Sequence, residues 1–216
     1  HIMSQQPTMT VICPACGTRQ QIAIFPVIDV KEQPELKIAL QSGQLFLYPC
    51  THCGHPMQVE YPCLYIDADQ KKAVYLQRGE GQQIKQMEEF CLRHLGEEYT
   101  LRLVPTANHL AERVLLWERG LDDRLVELMK EFYLRQTLKA QPQLEIDEVY
   151  LEKTEHGHVF CYVTTNGEVL EGDFPADLYE YFAKAYGPWL ESQKDLGLLN
   201  IGKEWRKQAF SALEEK

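Results

Sequence analysis

Two copies of the motif Cys-x-x-Cys-Gly constrain this chain more than any other feature of its sequence. The first is Cys13-Pro-Ala-Cys16-Gly17 and the second is Cys50-Thr-His-Cys53-Gly54, with 33 residues between them from Cys16 to Cys50. Two residues between paired cysteines allow a tight turn that points both sulfurs at one ion, roughly 2.3 Å away. Glycine after the second cysteine suits a backbone position with positive φ. The spacing therefore predicts a single metal site with four ligands: Cys13, Cys16, Cys50 and Cys53.

Four thiolates complete a tetrahedral shell and leave no open coordination position, which is typical of a structural site and not of a hydrolytic one. Zn²⁺ is the expected ion, and iron stays open as an alternative because four cysteines also hold iron in rubredoxin-type sites. A thioredoxin-like redox pair is disfavoured because the residues after Gly17 do not open a helix. His52 and His55 flank Cys53, and we expect both to point away from the metal.

Other candidate residues have simpler structural interpretations. Cys63, Cys91 and Cys161 have no activating neighbour in the sequence and are expected to be small buried apolar groups. His156 and His158 lie two apart around Gly157, so they can share a strand face and bind a metal, but a polar hairpin turn is the simpler interpretation. Asp122 and Asp123 are expected to cap a helix. The sequence has no Gly-x-Ser-x-Gly, P-loop or His-Glu-x-x-His motif, and we predict no catalytic residue and no organic cofactor.

Hydrophobic periodicity predicts an α+β protein with two domains. Residues 11–80 are predicted to form a zinc-ribbon-like β domain with one short helix that begins at Pro34 and is ended by Gly43. Residues 81–216 are predicted to form helices packed on a small antiparallel sheet. Its strands lie between residues 144 and 174, and Asn166-Gly167 is the predicted turn between two of them. A final helix is expected from Pro175 to about Tyr186, with Leu178, Tyr181, Phe182 and Ala185 facing the core, followed by an amphipathic segment over 203–213.

Charge and hydropathy limit the partners of this chain. Of the formal net charge of −10, residues 81–216 carry most, with 16 Lys and Arg against 25 Asp and Glu. Nucleic-acid binding is therefore not expected, because it depends on clustered cations that neutralise phosphates. No apolar run approaches the roughly 18 residues of a membrane helix, and the N-terminal segment lacks the features of a signal peptide, so we expect no membrane association and a cytoplasmic location.

The N-terminal part resembles the CpXC domain, a mostly bacterial family of uncharacterised function. The resemblance runs over about residues 11–130, and its distinctive elements are the two cysteine motifs. It also includes three other segments: Pro34-Glu-Leu-Lys37, Gly43-Gln-Leu-Phe46 and Leu64-Tyr-Ile-Asp67. The resemblance implies a zinc-binding module and supplies no reaction.

Together these features predict a zinc-binding protein that acts as a non-catalytic module for binding a protein or a small ligand. The alternative is a redox, electron-transfer or hydrolytic enzyme that uses the metal domain as a scaffold. The folding of segment 11–77 is expected to depend on the metal, because domains near 60 residues are marginally stable without a disulfide or a bound metal.

Overall fold

The structure is a computed structural model that describes residues 6–79, 81–194 and 196–215. It divides into two compact units, His1–Ala111 and Glu112–Lys216. The predicted division near residue 80 concerns independent folding and stays a prediction. Helix α3 (Ala107–Glu118) begins in the first unit and ends in the second.

The described residues of the first unit form three small sheets and two complete helices. Its elements are β1 (Thr8–Ile12), β2 (Arg19–Ala23), β3 (Val27–Asp29), α1 (Pro34–Gln41), β4 (Leu47–Pro49), β5 (Pro56–Gln58), β6 (Cys63–Asp67), β7 (Lys72–Leu76), α2 (Gln82–His94) and β8 (Thr100–Val104). Strands β1 and β2 form one antiparallel hairpin, and β4 and β5 form another. The remaining strands form a sheet of order β3-β6-β7-β8, in which β3 is parallel to β6 and β8 is parallel to β7.

The first helix matches its sequence signals. Pro34 occupies its first turn, where a missing backbone N–H costs nothing, and Leu36 and Leu40 are its buried residues. Gly43 follows with φ +78°, a left-handed conformation that glycine adopts without steric cost. The predicted short helix with its glycine stop is confirmed.

The second unit is built from helices on a three-stranded antiparallel meander. After α3 its elements are α4 (Asp123–Ala140), β9 (Ile146–Thr154), β10 (Gly157–Thr164), β11 (Val169–Asp173), α5 (Ala176–Ser192) and α6 (Lys203–Glu214). The strand order is β11-β10-β9, and Gly167 in the turn between β10 and β11 has φ +87°. Val149, Leu151 and Phe160 pack from this sheet against Leu128 and Met129 of α4 in one apolar core.

Helix α5 differs from its prediction in length and in orientation. It runs to Ser192, with Pro188 in its interior. Proline has no backbone N–H to donate to a helical hydrogen bond. Leu190 beyond it is buried in the core, however, and this burial favours continuation of the helix past Pro188. Because the apolar stripe runs through Phe182 and Leu190, Tyr181 is 61% exposed and Ala185 is also exposed, contrary to the prediction that both face the core.

A chain of buried ion pairs lies within the second unit, and no sequence pattern indicated it. The Nζ of Lys130 donates to both carboxylate oxygens of Glu112, at 2.8 and 2.9 Å, and to Glu127 at 2.7 Å. The guanidinium of Arg206 then joins Glu127, at 3.1 Å, to Glu131, at 3.2 Å. All five side chains are buried. The chain of pairs therefore links α3, α4 and α6 in the interior.

The two aspartates at the start of α4 have separate roles. Asp122 is the N-cap, and its carboxylate accepts from the backbone N–H of Arg124 at 2.9 Å, as predicted. Asp123 is instead buried and accepts from the guanidinium of Arg113 at 3.0 Å. Arg113 also donates to the carbonyl of Ile201 at 2.8 Å, so this arginine ties α3 both to α4 and to the segment before α6.

The described residues form six helices and four small sheets, so the predicted α+β class is confirmed. The two cysteine pairs lie between the strands of two hairpins near the N-terminal end, which is consistent with a zinc-ribbon-like start. Within the described ranges, no helix is both long enough and apolar enough to cross a bilayer.

Candidate metal centre

The two Cys-x-x-Cys-Gly segments fold into turns with the same backbone hydrogen bonds. In the first, Cys13 N donates to Thr18 O at 3.0 Å and Gly17 N donates to Cys13 O at 2.8 Å. In the second, Cys50 N donates to His55 O at 2.8 Å and Gly54 N donates to Cys50 O at 2.9 Å. Each turn is closed at the same relative positions, so the two segments are local structural repeats.

Glycine is required where each turn closes. Gly17 has φ +76° and Gly54 has φ +77°, in the left-handed region that side chains with a Cβ rarely adopt. No heavy atom lies within 4 Å of a Cβ added at either position, so the backbone conformation, and not crowding, explains the residue type. The positive φ predicted from the two motifs is confirmed.

The turns bring four sulfur atoms together. Each turn follows the first strand of its hairpin: the first lies between β1 and β2, and the second lies between β4 and β5. The Sγ atoms of Cys13 and Cys53 are 3.7 Å apart, as are those of Cys16 and Cys50. All four sulfurs lie within 4.8 Å of one another. Residues 34 or more positions apart in sequence thus meet at one point.

These separations match a tetrahedral thiolate shell. Four sulfurs at about 2.3 Å from a central ion would be about 3.8 Å from each other. A disulfide would need an S–S distance near 2.05 Å, and all four cysteines are free thiols. The cluster can therefore hold one metal ion. Among the residues that the structure describes, it is the only group of three or more His, Cys, Asp or Glu side chains close enough to do so.

Polar neighbours from the first hairpin contact the sulfurs. The Oγ1 of Thr18 is hydrogen-bonded to the Sγ of Cys16 at 3.2 Å. Gln20 on β2 donates from Nε2 to the Sγ of Cys50 at 3.3 Å, and its Oε1 accepts from the backbone N–H of Thr51 at 3.0 Å. Gln20 therefore holds the second turn against the first hairpin. The sequence gives no sign of this role, because a glutamine on a strand carries no pattern that marks it as a partner of a residue 30 positions away.

The thiols have strongly unequal acidities without a metal. A hydrogen bond from the Cys53 backbone N–H, together with the Gln20 side chain, lowers the pKa of Cys50 to about 5. Hydrogen bonds with Thr18 also lower the pKa of Cys16. The backbone N–H of His55 lowers the pKa of Cys53, but desolvation and the three neighbouring thiols raise it by more, to about 12. The donors around Cys50 and Cys16 favour thiolates, the form that binds metals.

Little apolar surface surrounds the cluster. Cys13 and Cys50 are buried together with Met57, and the partly buried residues packed on them are Val11, Tyr48 and Val59. Cys16 and Cys53 are exposed. The two hairpins therefore share a core of only a few side chains, too small to hold two-stranded sheets together by apolar burial alone.

The histidines and cysteines outside the cluster lie where the sequence predicted. His52 and His55 are exposed and do not belong to the group of four sulfurs. Cys63, Cys91 and Cys161 are buried. Desolvation raises the pKa of Cys63 to about 12 and that of Cys91 to about 11, so both stay neutral thiols at pH 7.

Comparison with protein families gives a match over the segment that contains the cluster. The model of the family described as "CpXC protein" matches residues 11–130, which is more than half of the chain. The chain belongs to the CpXC family. The four clustered cysteines, α1, the four-stranded sheet and the start of α4 lie in the CpXC segment, whereas the meander and helices α5 and α6 lie beyond it. No curated protein and no solved structure matches this CpXC protein significantly.

His156 and His158 sit at the β9–β10 hairpin. His156 is exposed in the turn, and the following Gly157 has φ +113°. His158 pairs in register with Lys153 on β9, and its ring meets the edge of Phe174, with 6.2 Å between ring centroids. Burial lowers the pKa of His158, with Arg119 and Lys153 as further causes, so the neutral ring is favoured. The structure agrees with the hairpin interpretation.

Replacing both His156 and His158 with alanine is expected to leave the metal content unchanged, because neither residue lies in the group of four sulfurs. Metal analysis by mass spectrometry, with far-UV circular dichroism as a check of folding, measures the effect. Loss of one metal equivalent from a folded double variant would reveal a second site and contradict the prediction.

Proposed function

We propose that this CpXC protein binds one Zn²⁺ through Cys13, Cys16, Cys50 and Cys53, and that the ion has a structural role. The observation that carries the proposal is the meeting of four sulfurs, with two pairs at 3.7 Å, on two hairpins that share very little apolar core. Four thiolates fill a tetrahedral shell, so no position is left for water or substrate. The ion would supply the link between the hairpins that apolar burial does not.

Metal analysis tests this proposal directly. The purified protein should contain one zinc per chain, and Cys50→Ser should lose it. Cys161→Ala is the matched control, since it removes a buried thiol outside the cluster and should retain the full metal content. Absence of any bound metal in the reduced wild-type protein would reject the proposal.

The identity of the ion separates a structural role from an electron-transfer role. Zinc has no redox chemistry, whereas an iron–thiolate site changes oxidation state and is red when oxidised. A colourless protein with a zinc absorption edge supports the structural role. A red protein that bleaches on reduction would instead support the electron-transfer alternative.

We further propose that the zinc-stabilised protein is a non-catalytic module that binds a protein or a small ligand in the cytoplasm. A closed shell of four sulfurs supports a scaffold role for the metal. The second unit has its own apolar core, which includes residues of the meander, and it adds folded surface beyond the CpXC segment. Under this proposal, a ligand should bind reversibly and should not be converted to a product.

Nucleic acid is expected to bind weakly or not at all. The net charge of −10 repels phosphates, and the residues from 81 onward carry nearly all of that excess. Fluorescence anisotropy with labelled DNA and RNA at about 150 mM salt measures this. Sub-micromolar binding that weakens with added salt would contradict the expectation.

A further inference from the structure

A cavity of about 280 Å³ lies within the first unit, apart from the cysteine cluster. Three parts of the chain line it. The first is the end of α1 and the turn that follows, the second is the segment from β5 to Glu60, and the third is the first turns of α3. Its apolar lining is formed by buried residues, among them Leu40, Leu45 and Phe46. Its polar lining comes from Gln58, Glu60 and Asn108. Small-molecule sites combine apolar residues with a few polar groups, and this cavity, whose lining is more polar than usual, has a volume close to the lower end of such sites.

The carboxylate of Glu60 is held in a fixed position at this cavity. Its Oε1 accepts from the backbone N–H of Ala107, the first residue of α3, at 2.8 Å. A hydrogen bond from a backbone donor at a helix N-terminus restricts the rotation of the carboxylate. The negative charge is therefore preorganised, so a ligand does not have to order it.

The second oxygen of Glu60 is within reach of a cation. The guanidinium of Arg78 lies 3.4 Å from Oε2, but the Arg78 side chain is 73% exposed, against 24% for Glu60. An exposed ion pair of this length contributes little stability, so a ligand can displace the arginine from Oε2. The pair shows that a positively charged group can approach this oxygen.

We propose that the cavity binds a small organic amine, with its apolar body on the floor formed by Leu40, Leu45 and Phe46 and its ammonium group on Oε2 of Glu60. The side-chain amides of Gln58 and Asn108 provide further polar contacts at the cavity. The proposal goes beyond the metal centre and holds whichever ion the four cysteines bind.

Two probes of matched shape separate charge from apolar contact. Phenethylamine is a cation at pH 7, and 2-phenylethanol has the same ring and chain length with a neutral hydroxyl. We expect the amine to bind the metal-loaded full chain roughly tenfold more tightly than the alcohol, since a hydrogen bond to an ionised group is the stronger kind. Amide chemical-shift changes at Ala107, Asn108 and Gln58 measure binding and its location.

Three variants assign the binding to the cavity. Glu60→Gln keeps an acceptor for the Ala107 N–H and should remove the preference for the amine. Glu89→Gln removes one charge from an exposed position on α2 outside the cavity lining and should leave the preference unchanged. Ala111→Leu fills space at the cavity and should abolish binding of both probes. Metal content is measured on every sample, so failure here is distinguishable from failure of the zinc proposal.

The outcomes that overturn the amine proposal are specific. They are the absence of saturable shifts at the three reporter residues, equal affinities for the two probes, a preference that survives Glu60→Gln, or probe binding that survives Ala111→Leu. If Glu60→Gln does not fold, the salt dependence of probe binding to the wild-type protein tests the proposal instead. Amine binding should weaken as salt is added and alcohol binding should not, and salt-independent amine binding would reject the ion pair with Glu60.

Discussion

Cys50→Ser, or removal of the metal by a strong chelator under reducing conditions, is expected to make the two cysteine hairpins sensitive to proteases. Structural zinc contributes on the order of 10 kcal/mol to folding a small thiolate site. The shared apolar core around Cys13, Cys50 and Met57 is too small to replace that contribution. Trypsin should then cut after Arg19 on β2, and chymotrypsin should cut after Leu47 on β4. Limited proteolysis followed by mass spectrometry identifies both sites.

The second unit is the internal reference for this experiment. Glu112–Lys216 contains none of the four cysteines and has its own core, so it should persist as a resistant fragment. Cys161→Ala is the matched variant and should digest like the wild-type protein. If the metal-free protein resists cleavage at Arg19 and Leu47 as well as the metal-loaded protein does, the metal is not what holds the hairpins.

The same digestion tests the predicted domain boundary. The sequence places it near residue 80, whereas β8 (Thr100–Val104) pairs with β7 in the sheet of the first unit. Sequence periodicity could not indicate this pairing, because a parallel partner 28 positions away leaves no local signal. A resistant fragment beginning near residue 80 would support the predicted division, and one beginning near residue 112 would favour the division into the two compact units.

The cysteine cluster was predictable because its requirements are local and chemical. A tight turn with two sulfurs needs a fixed spacing, and closing it needs glycine, so both turns are visible in the sequence and Gly17 and Gly54 have the expected positive φ. The Asn166-Gly167 turn and the Gly43 helix stop were predictable for the same reason. In each case a backbone conformation restricts the residue type.

The parts that escaped prediction depend on tertiary contacts. Gln20 bridges to Cys50 and Thr51 across about 30 positions of sequence, and a polar strand residue shows no periodicity that reveals this role. Helix α5 passes through Pro188 because Leu190 beyond it is buried in the core, and only the packed structure shows that benefit. The interior ion pairs escaped for a related reason, since charged residues on an amphipathic helix ordinarily indicate the solvent-facing side.

Those interior ion pairs give the second large expected effect. Lys130→Met keeps most of the length of the side chain and removes its charge, which leaves Glu112 and Glu127 buried without their shared cation. Removing one partner of a buried ion pair typically destabilises a protein by about 3–5 kcal/mol. The free energy of unfolding of the second unit should fall by about that amount, as measured by urea denaturation followed by circular dichroism.

Two further variants distinguish burial from charge as the cause. Lys203→Met removes a lysine of 47% side-chain exposure that lies 3.9 Å from Asp147, and it should change the free energy of unfolding by less than about 1 kcal/mol. Adding Glu112→Gln to Lys130→Met removes one of the two carboxylates that Lys130 neutralises but keeps an acceptor for the Leu151 backbone N–H, which donates to Glu112 at 2.6 Å. The double variant should therefore be more stable than Lys130→Met alone. If it is less stable, the loss in Lys130→Met does not come from an uncompensated charge at Glu112 but from the packing that the lysine side chain provides between α3 and α4.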